Sequence, residues 1–437
     1  MRAKALILTV LCLSLVALSS VALAASAQYV GSEKCATCHA EQFENWQKTG
    51  HALIVQDASV VGEKGKGFKY LIADQYFVDK DGNYVPKEWN SATKSVEPST
   101  RSGSWLQNCA SCHTTGYDAK KLTFAEAGIG CESCHGPGSK HIKSFSAKDI
   151  ICNPGNEMCT SCHGANRQGE QMGMMNEPGH LGIFEAALIE RGDGYSDRCA
   201  TCHSATVILA IQKGEKVPSV DEFRTGSLKN DRYGITCVVC HDPHKVTEYG
   251  GQLKTDSQTT CVQCHTATSN FQNPLPAGEL FAKAPKHSQA EGLRGRGALG
   301  VTEGIATHSQ ATCADCHMTN GNHIFKVGTP EITLTPHGRE TVFNSCVGCH
   351  SESIMTAERL ATFQENNMQR VEALVAEYEA VKAKAAGNDN ALAILEKANV
   401  NLGFVQSDGS KGVHNPEYFR EVLTAAEVFI KEAKAAL

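Results

Sequence analysis

The sequence predicts a mainly α-helical chain with much irregular structure, because three of its features agree. Residues 351–437 carry apolar side chains at helical spacing, whereas most of residues 40–350 is Gly-rich and lacks a sustained hydrophobic period. The same middle region repeats one Cys-x-x-Cys-His pattern. Only 41% of the 437 residues are hydrophobic and 6% are aromatic, so we expect a bound group to fill part of the core.

The N-terminal segment is predicted to be a secretory leader rather than part of the fold. Arg2 and Lys4 precede an apolar run over residues 5–18, and small residues before Gln28 form a cleavage site. The alternative is an uncleaved membrane anchor, but that needs about 20 apolar residues and the run here is shorter. We therefore predict a signal peptide at residues 1–27, export to the periplasm or the cell surface, and no membrane span in the mature chain.

Nine copies of the Cys-x-x-Cys-His motif follow this leader. The motif attaches haem c, because two thiols one helical turn apart bond one edge of the porphyrin and the adjacent His reaches the iron. Zinc ribbons and disulfide frameworks, which are the alternatives, do not require a His directly after every second Cys. The predicted cofactor is therefore haem c in nine copies. The covalent sites, each with its proximal His, are Cys35, Cys38 and His39; Cys109, Cys112 and His113; Cys131, Cys134 and His135; Cys159, Cys162 and His163; Cys199, Cys202 and His203; Cys237, Cys240 and His241; Cys261, Cys264 and His265; Cys313, Cys316 and His317; and Cys346, Cys349 and His350.

The number of spare histidines equals the number of motifs. The sequence has 18 His, of which nine lie inside the motifs and nine outside. If each spare His ligates one iron, every haem is six-coordinate and closed to substrate, as electron transfer requires. The candidate distal ligands are His51, His141, His180, His244, His287, His308, His323, His337 and His414.

Local sequence supports some of these ligands. His244 stands too close to His241 to serve that haem, so it is expected to serve a neighbour. His414 precedes Asn415 and Pro416, which are typical of the cap and first position of a helix and would fix its place. A methionine ligand is the alternative for one haem, and the candidates for it are Met172, Met174 and Met175, which cluster in one loop.

Cys152 is the one mature cysteine outside the motifs, so it has no partner for a disulfide within the chain. We expect it to be a free thiol that acts as a small hydrophobic side chain.

The charge balance excludes nucleic acid as a partner. The chain has 41 basic and 47 acidic side chains, a formal net charge of −6, and cleavage of the leader removes two of the basic ones. Haem propionates add further negative charge, so we expect a basic docking partner.

The organisation is expected to follow the motifs. A hairpin is predicted over Tyr76 to Val85, turning at Asp81-Gly82. The segment from Gly128 to His135 is echoed by the segment from Gly234 to His241, which indicates a duplicated three-haem unit over residues 109–163 and 199–265. We place the haem region at residues 28–350.

Residues 351–437 are predicted to form a separate helical region. Helices are expected from Thr356 to Ala385, from about Asp389 to Val400 and from Pro416 to the end. We expect these helices to cover the haem region, to supply His414 and to offer a face for a homo-oligomer.

Three segments of the chain resemble a known superfamily. They are Cys131-Glu-Ser-Cys134-His135-Gly-Pro-Gly-Ser-Lys-His141, Cys316-His317-Met318 with His323-Ile-Phe-Lys-Val-Gly-Thr-Pro330, and Gly412-Val-His414-Asn-Pro416. They are similar to the multihaem cytochromes that include the tetrahaem carrier of hydroxylamine oxidation, the octahaem hydroxylamine oxidoreductases and the pentahaem ammonia-forming nitrite reductases. The resemblance covers nearly the whole mature chain and implies a mainly helical, irregular fold wrapped round a stack of haems.

The departures from this superfamily favour a carrier over an enzyme. The nitrite reductases use a Lys in place of one motif His, and the hydroxylamine oxidoreductases have eight haems and a tyrosine linked to the active one. No motif here has that Lys, and no Tyr, Tyr195 included, stands out as the linked residue. We predict electron transfer in anaerobic respiration, from a quinol-oxidising complex to a terminal reductase or an outer-membrane conduit. The alternative is an oxidoreductase of small nitrogen or sulfur compounds with one open haem.

Overall fold

A computed structural model of the chain divides into two compact units, one ending at Pro154 and one beginning at Gly155. The described residues are 26–164, 179–231, 233–267, 276–304, 307–321, 323, 325, 327, 331–335, 338–342, 345–346, 348–351 and 356–437. Residues 1–25 of the predicted leader, His337 and the three methionines at 172–175 lie outside them. The division into units does not test the boundaries at residues 27 and 350, which stay predictions.

Short helices carry most of the motifs. The motifs at residues 131–135 and 313–317 each supply about one helical turn. A glycine follows the last residue of two motif helices: Gly136, with a φ of 77°, after His135, and Gly164 after His163. In the first unit the helices are α1 (Ser32–Ala36), α2 (Ala40–Trp46), α3 (Gly50–Leu53), α4 (Trp105–Asn108), α5 (Ala110–His113), α6 (Cys131–His135) and α7 (His141–Ser144). Those of the second unit before its C-terminal part are α8 (Asn156–His163), α9 (Ile183–Arg191), α10 (Asp197–His203), α11 (Ala205–Lys213), α12 (Val220–Arg224), α13 (Cys237–Cys240), α14 (Ser257–Val262), α15 (Gln289–Arg294) and α16 (Cys313–His317).

The first unit also contains a five-stranded antiparallel sheet in simple meander order. Its strands are β1 (Val55–Asp57), β2 (Tyr70–Ile72), β3 (Tyr76–Val78), β4 (Tyr84–Asn90) and β5 (Ser95–Pro98). The predicted hairpin is present as β3 and β4, but the sequence analysis missed the other three strands. Alternate side chains enter two separate cores, with Ile72 and Val78 in one and Leu71 and Phe77 in the other, so both faces of the sheet are covered.

The C-terminal part of the second unit forms three long helices, as predicted. They are α17 (Ala357–Lys384), α18 (Asp389–Asp408) and α19 (Pro416–Ala435). Thr356, Asn388 and Asn415 cap their N-termini through side-chain oxygens, which satisfies backbone N–H groups that have no partner within the helix. The second helix runs eight residues past its predicted end at Val400, because Leu402, Phe404 and Val405 continue its buried face.

These helices pack on residues 281–301 of the same unit. The Asn401 side chain holds both the N–H and the carbonyl of Leu299, and the Tyr418 hydroxyl accepts from the N–H of Ala298. A further hairpin joins β6 (Thr114–Thr115) to β7 (Glu126–Ala127) in the first unit, and another joins β8 (Glu331–Thr335) to β9 (Gly338–Val342) in the second. Within the described residues, no helix has the length and apolar character needed to cross a membrane.

Candidate haem-binding sites

The motifs present their ligands from the ends of short helices. In α6 and α16 the whole Cys-x-x-Cys-His pattern forms one helix, so both thiols and the imidazole project from about one turn. Among the described residues the motif cysteines form no disulfide bonds, and most of their side chains are partly exposed. This arrangement suits thioether attachment to a group that lies against the helix.

Imidazole rings from motif and spare histidines face one another at a nearly constant separation. The ring centroids are 6.4 Å apart for His39 and His141, 6.2 Å for His203 and His287, 6.1 Å for His241 and His323, 6.0 Å for His265 and His180, 6.2 Å for His317 and His414, and 6.2 Å for His350 and His308. Two imidazoles that bind one metal from opposite sides through bonds of about 2 Å have centroids about 6 Å apart. The pairs therefore fit an iron between their rings.

Backbone carbonyls orient many of these rings through Nδ1. His141 donates to Ser146 at 3.0 Å, His241 to Gly251 at 2.6 Å and His317 to Phe325 at 3.0 Å. His323 donates to Gly321 at 2.8 Å and His308 to His414 at 3.2 Å. Because a carbonyl only accepts, Nδ1 carries the proton and Nε2 is left to bind a metal.

Burial keeps several of these rings neutral, which metal binding requires. It lowers the pKa of His203 to about 4, with nearby His287 and Arg191 adding to the effect, and it lowers the pKa of His265 to about 4 as well. Burial also lowers the pKa of His317, although the Phe325 carbonyl opposes the shift.

His414 differs from its neighbours because it contacts a carboxylate. Its Nδ1 lies 2.6 Å from Oδ1 of Asp408, whose side chain is only 3% exposed. Burial alone would lower the pKa of His414, but the hydrogen bond to Asp408 and the negative charge of that group outweigh it and raise the pKa. No local sequence pattern marks Asp408 as part of this site.

Two further candidate ligands, His51 and His244, lie in contacts of other kinds. The His51 carbonyl accepts from the N–H of Ile129 at 2.9 Å, next to the third motif. The His244 side chain is 48% exposed, and its Nδ1 lies 3.6 Å from Asp242. The ligand roles of these two residues and of His337 stay predictions, as do the distal partners of motif residues His113, His135 and His163.

A repeated contact joins the motifs in pairs. In the sequence, only the similarity between residues 128–135 and 234–241 indicates it. The residue three positions before one motif accepts a hydrogen bond from the first backbone N–H of a later motif. Ser32 accepts from Cys131 at 3.0 Å, Asn156 from Cys237 at 2.9 Å, and Gln258 from Cys313 at 2.9 Å. We call these the three linked motif pairs.

The thiols of each linked motif pair also touch. The Cys35 thiol lies within hydrogen-bonding reach of the Cys131 thiol, and the same holds for Cys159 with Cys237 and for Cys261 with Cys313. The N–H of Ile129 donates to the His51 carbonyl, and that of Ile235 donates to the His180 carbonyl, so the two similar sequence segments make equivalent backbone contacts. The repeat defined in this way begins before both predicted boundaries, residues 109 and 199.

Comparison with protein families assigns most of these segments. Residues 34–69 and 82–136 match the model of cytochrome c554 and c-prime, residues 231–270 match that of a doubled CXXCH motif, and residues 301–437 match that of cytochrome c552. The undecahaem cytochrome from the S-layer of Carboxydothermus ferrireducens superposes with a TM-score of 0.72 at 26% identity, over 93% of this chain and 70% of that one. The chain belongs to the multihaem c-type cytochromes. The matched families are c-type cytochromes with Cys-x-x-Cys-His motifs, which implies haem c as the cofactor.

Two further known proteins match this multihaem cytochrome, one in fold and one in sequence. The outer cell wall cytochrome OcwA shares its fold, with a TM-score of 0.71 at 24% identity over 92% of this chain and 99% of that one. Cytochrome c-554 of Nitrosomonas europaea is 29% identical over 33% of this chain. That match spans 61% of cytochrome c-554, less than two thirds of its length.

Proposed function

We propose that this multihaem cytochrome is an exported electron-transfer protein that carries nine haems c. The observation that carries the proposal is the set of imidazole pairs with centroids 6.0–6.4 Å apart, each combining one motif His with one spare His. When bound, haem c supplies a one-electron couple that needs no open ligand position. Two imidazoles would close each of these six irons to substrate, which favours a carrier over an enzyme.

The proposed ligand assignment follows the pairs. In the first unit His141 is the distal ligand for the haem of His39. In the second unit, the proposed distal and motif ligands are His180 with His265, His287 with His203, His323 with His241, His414 with His317 and His308 with His350.

Contacts between motif thiols support rapid transfer within each unit. The Cys264 thiol lies within hydrogen-bonding reach of the Cys202 thiol, and Cys261 of the same motif lies within reach of the Cys313 thiol. With haem bound, the two thiols of a motif would hold one porphyrin edge, so contacts between thiols of different motifs would bring the edges of neighbouring haems close together. In the second unit the motifs at residues 199–203, 261–265 and 313–317 are therefore proposed to form one continuous electron path.

The proposed location and partners rest on the leader and on the relatives. The apolar segment at residues 5–18 and the S-layer origin of the Carboxydothermus ferrireducens relative favour export to the periplasm or the cell surface. The proposed donor is a quinol-oxidising complex, and the proposed acceptor is a terminal reductase or an outer-membrane conduit. Docking through charge predicts that transfer rates fall as ionic strength rises.

The test combines mass with spectroscopy. The mature chain should have its polypeptide mass plus nine haems, and the paired haems should be low-spin. His414→Ala should create one new high-spin haem that binds carbon monoxide when reduced, because the substitution removes the ligand opposite His317. Lys411→Ala, an exposed change in the same loop, is the control. A wild-type high-spin haem that binds nitrite or hydroxylamine would replace the carrier proposal with the enzyme alternative.

A further inference from the structure

The Asp408 carboxylate is held in place on several sides. Asp408 is the last residue of α18, and its Oδ1 accepts from Nδ1 of His414 at 2.6 Å. Its Oδ2 accepts from the N–H of Ser410 at 3.2 Å and from the Ser410 hydroxyl. A side chain at position 292 would collide with Oδ1, so Gly292 lets the backbone of α15 close over the carboxylate. The group is therefore fixed and shielded from solvent.

The partner of His414 differs in charge from those of comparable rings. His141, His241, His308, His317 and His323 donate through Nδ1 to neutral backbone carbonyls. A carboxylate carries a full negative charge, and hydrogen bonds to an ionised group are about twice as strong as neutral ones. Low exposure increases this difference, because little water screens the charge.

We infer that Asp408 sets the reduction potential of the haem held by Cys313 and Cys316, making it lower than it would be with a carbonyl partner. The inference rests on the proposed ligation of that haem by His317 and His414. A hydrogen bond from Nδ1 to a carboxylate makes the imidazole a stronger donor at Nε2, and the negative charge nearby favours the ferric over the ferrous state. Asp408 acts through His414 and is thus a positioning and tuning residue.

Asp408→Asn tests this directly in the full-length, haem-loaded protein. The amide keeps the shape but removes the charge, so one of the one-electron steps should move to higher potential. We expect at least a tenfold change in its ferric to ferrous equilibrium, which corresponds to about 59 mV. The largest g-value of one low-spin ferric signal should change as well, and a purely structural role would not alter it selectively.

Two further variants provide controls. Asp57→Asn removes the same charge in the first unit, where the carboxylate accepts a hydrogen bond from the N–H of Ser59. This variant should leave the potential of every one-electron step unchanged. Ser410→Ala removes a donor to the carboxylate and should shift the same step downward, by less than the Asn substitution raises it. If the Asp408→Asn protein does not retain its haems, Ser410→Ala becomes the test of the inference. An unchanged potential for every one-electron step in Ser410→Ala would then overturn it.

The failure of this inference is distinct from that of the proposed function. If His414→Ala leaves every haem six-coordinate and low-spin, the ligand assignment is wrong and the inference falls with it. If His414→Ala opens one haem but fully loaded Asp408→Asn has unchanged potentials, only the role of Asp408 is wrong.

Discussion

Within the second unit, the motif-bearing segment and the C-terminal helices bury their side chains in different ways. The motif segment has helices of four to nine residues and small separate clusters, such as the one around Phe184, Tyr195 and Phe223. The C-terminal helices are 28, 20 and 20 residues long and share one continuous core that includes Leu374, Leu395 and Ile430.

The contrast shows what each segment needs in order to fold. Helices shorter than about 12 residues are marginal in water unless an apolar face is packed. In the motif segment the apolar partner is expected to be haem, whose attachment adds the missing surface. In the C-terminal helices, the side chains of the chain itself provide that surface.

Preventing haem attachment should have the largest effect on the stability of the motif-bearing segment. In a haem-free chain, we expect the amides of residues 183–262 to exchange with opening free energies of about 0 kcal/mol, whereas α17 to α19 keep measurable protection. Hydrogen exchange followed by mass spectrometry, with the haem-loaded chain as the reference, measures both. Equal loss of protection in the two segments would contradict the comparison.

Removing buried side-chain volume from the C-terminal core should destabilise the C-terminal helices without changing the haem sites. Ile430 is fully buried in α19, so Ile430→Ala should reduce the free energy of unfolding of these helices by about 2–5 kcal/mol. The absorption spectrum of the haems in the folded protein should stay the same. Val428→Ala, at a position 47% exposed on the same helix, is the control and should have little effect. Equal losses for the two variants would show that α19 is not packed in this way.

Breaking one contact of a linked motif pair should have a smaller effect. Asn156→Ala removes the acceptor for the N–H of Cys237 and should reduce the free energy of unfolding by about 1 kcal/mol. Chemical denaturation followed at the Soret band measures this. Ser161→Ala is the control, because the bonds that it removes, to the Met158 carbonyl and to the Cys162 thiol, both lie within the same helix. No difference between the two variants would remove the argument that these contacts join the motifs.

Cys152→Ser should have the smallest effect. The thiol is exposed and has a weak contact with the Ala147 carbonyl at 3.6 Å. Haem content and spectra should stay unchanged, and the free energy of unfolding should change by less than about 0.5 kcal/mol. Loss of the normal spectrum of one haem would instead give Cys152 a role at a haem site.

The sequence predicted the parts of the fold that depend on local patterns. The capped helices beginning after Thr356 and Asn415 have local signals, and the structure confirms both. The five-stranded sheet was missed apart from one hairpin, because the missed strands β1, β2 and β5 are only three or four residues long and give too short an alternation to recognise.

The pairing of the candidate ligands could not be predicted from local sequence either. His180 and His287 lie in loop-like sequence with no local feature to mark them, yet their rings face His265 and His203. Asp408 had no signal either, because its contact with His414 depends on the turn after α18. Counting histidines predicts that ligands are present, whereas pairing them needs the tertiary structure.

The three linked motif pairs also have a consequence for how the protein is assembled. Their contacts close loops of 99, 81 and 55 residues, and each doubling of loop length adds only about 0.6 kcal/mol of closure entropy. Loop length therefore does little to decide which pair forms first. The pairs occupy successive stretches, residues 32–135, 156–241 and 258–317, so a chain that emerges from its N-terminus can complete each pair before the next one appears. This order limits incorrect pairing among motifs whose chemistry is identical.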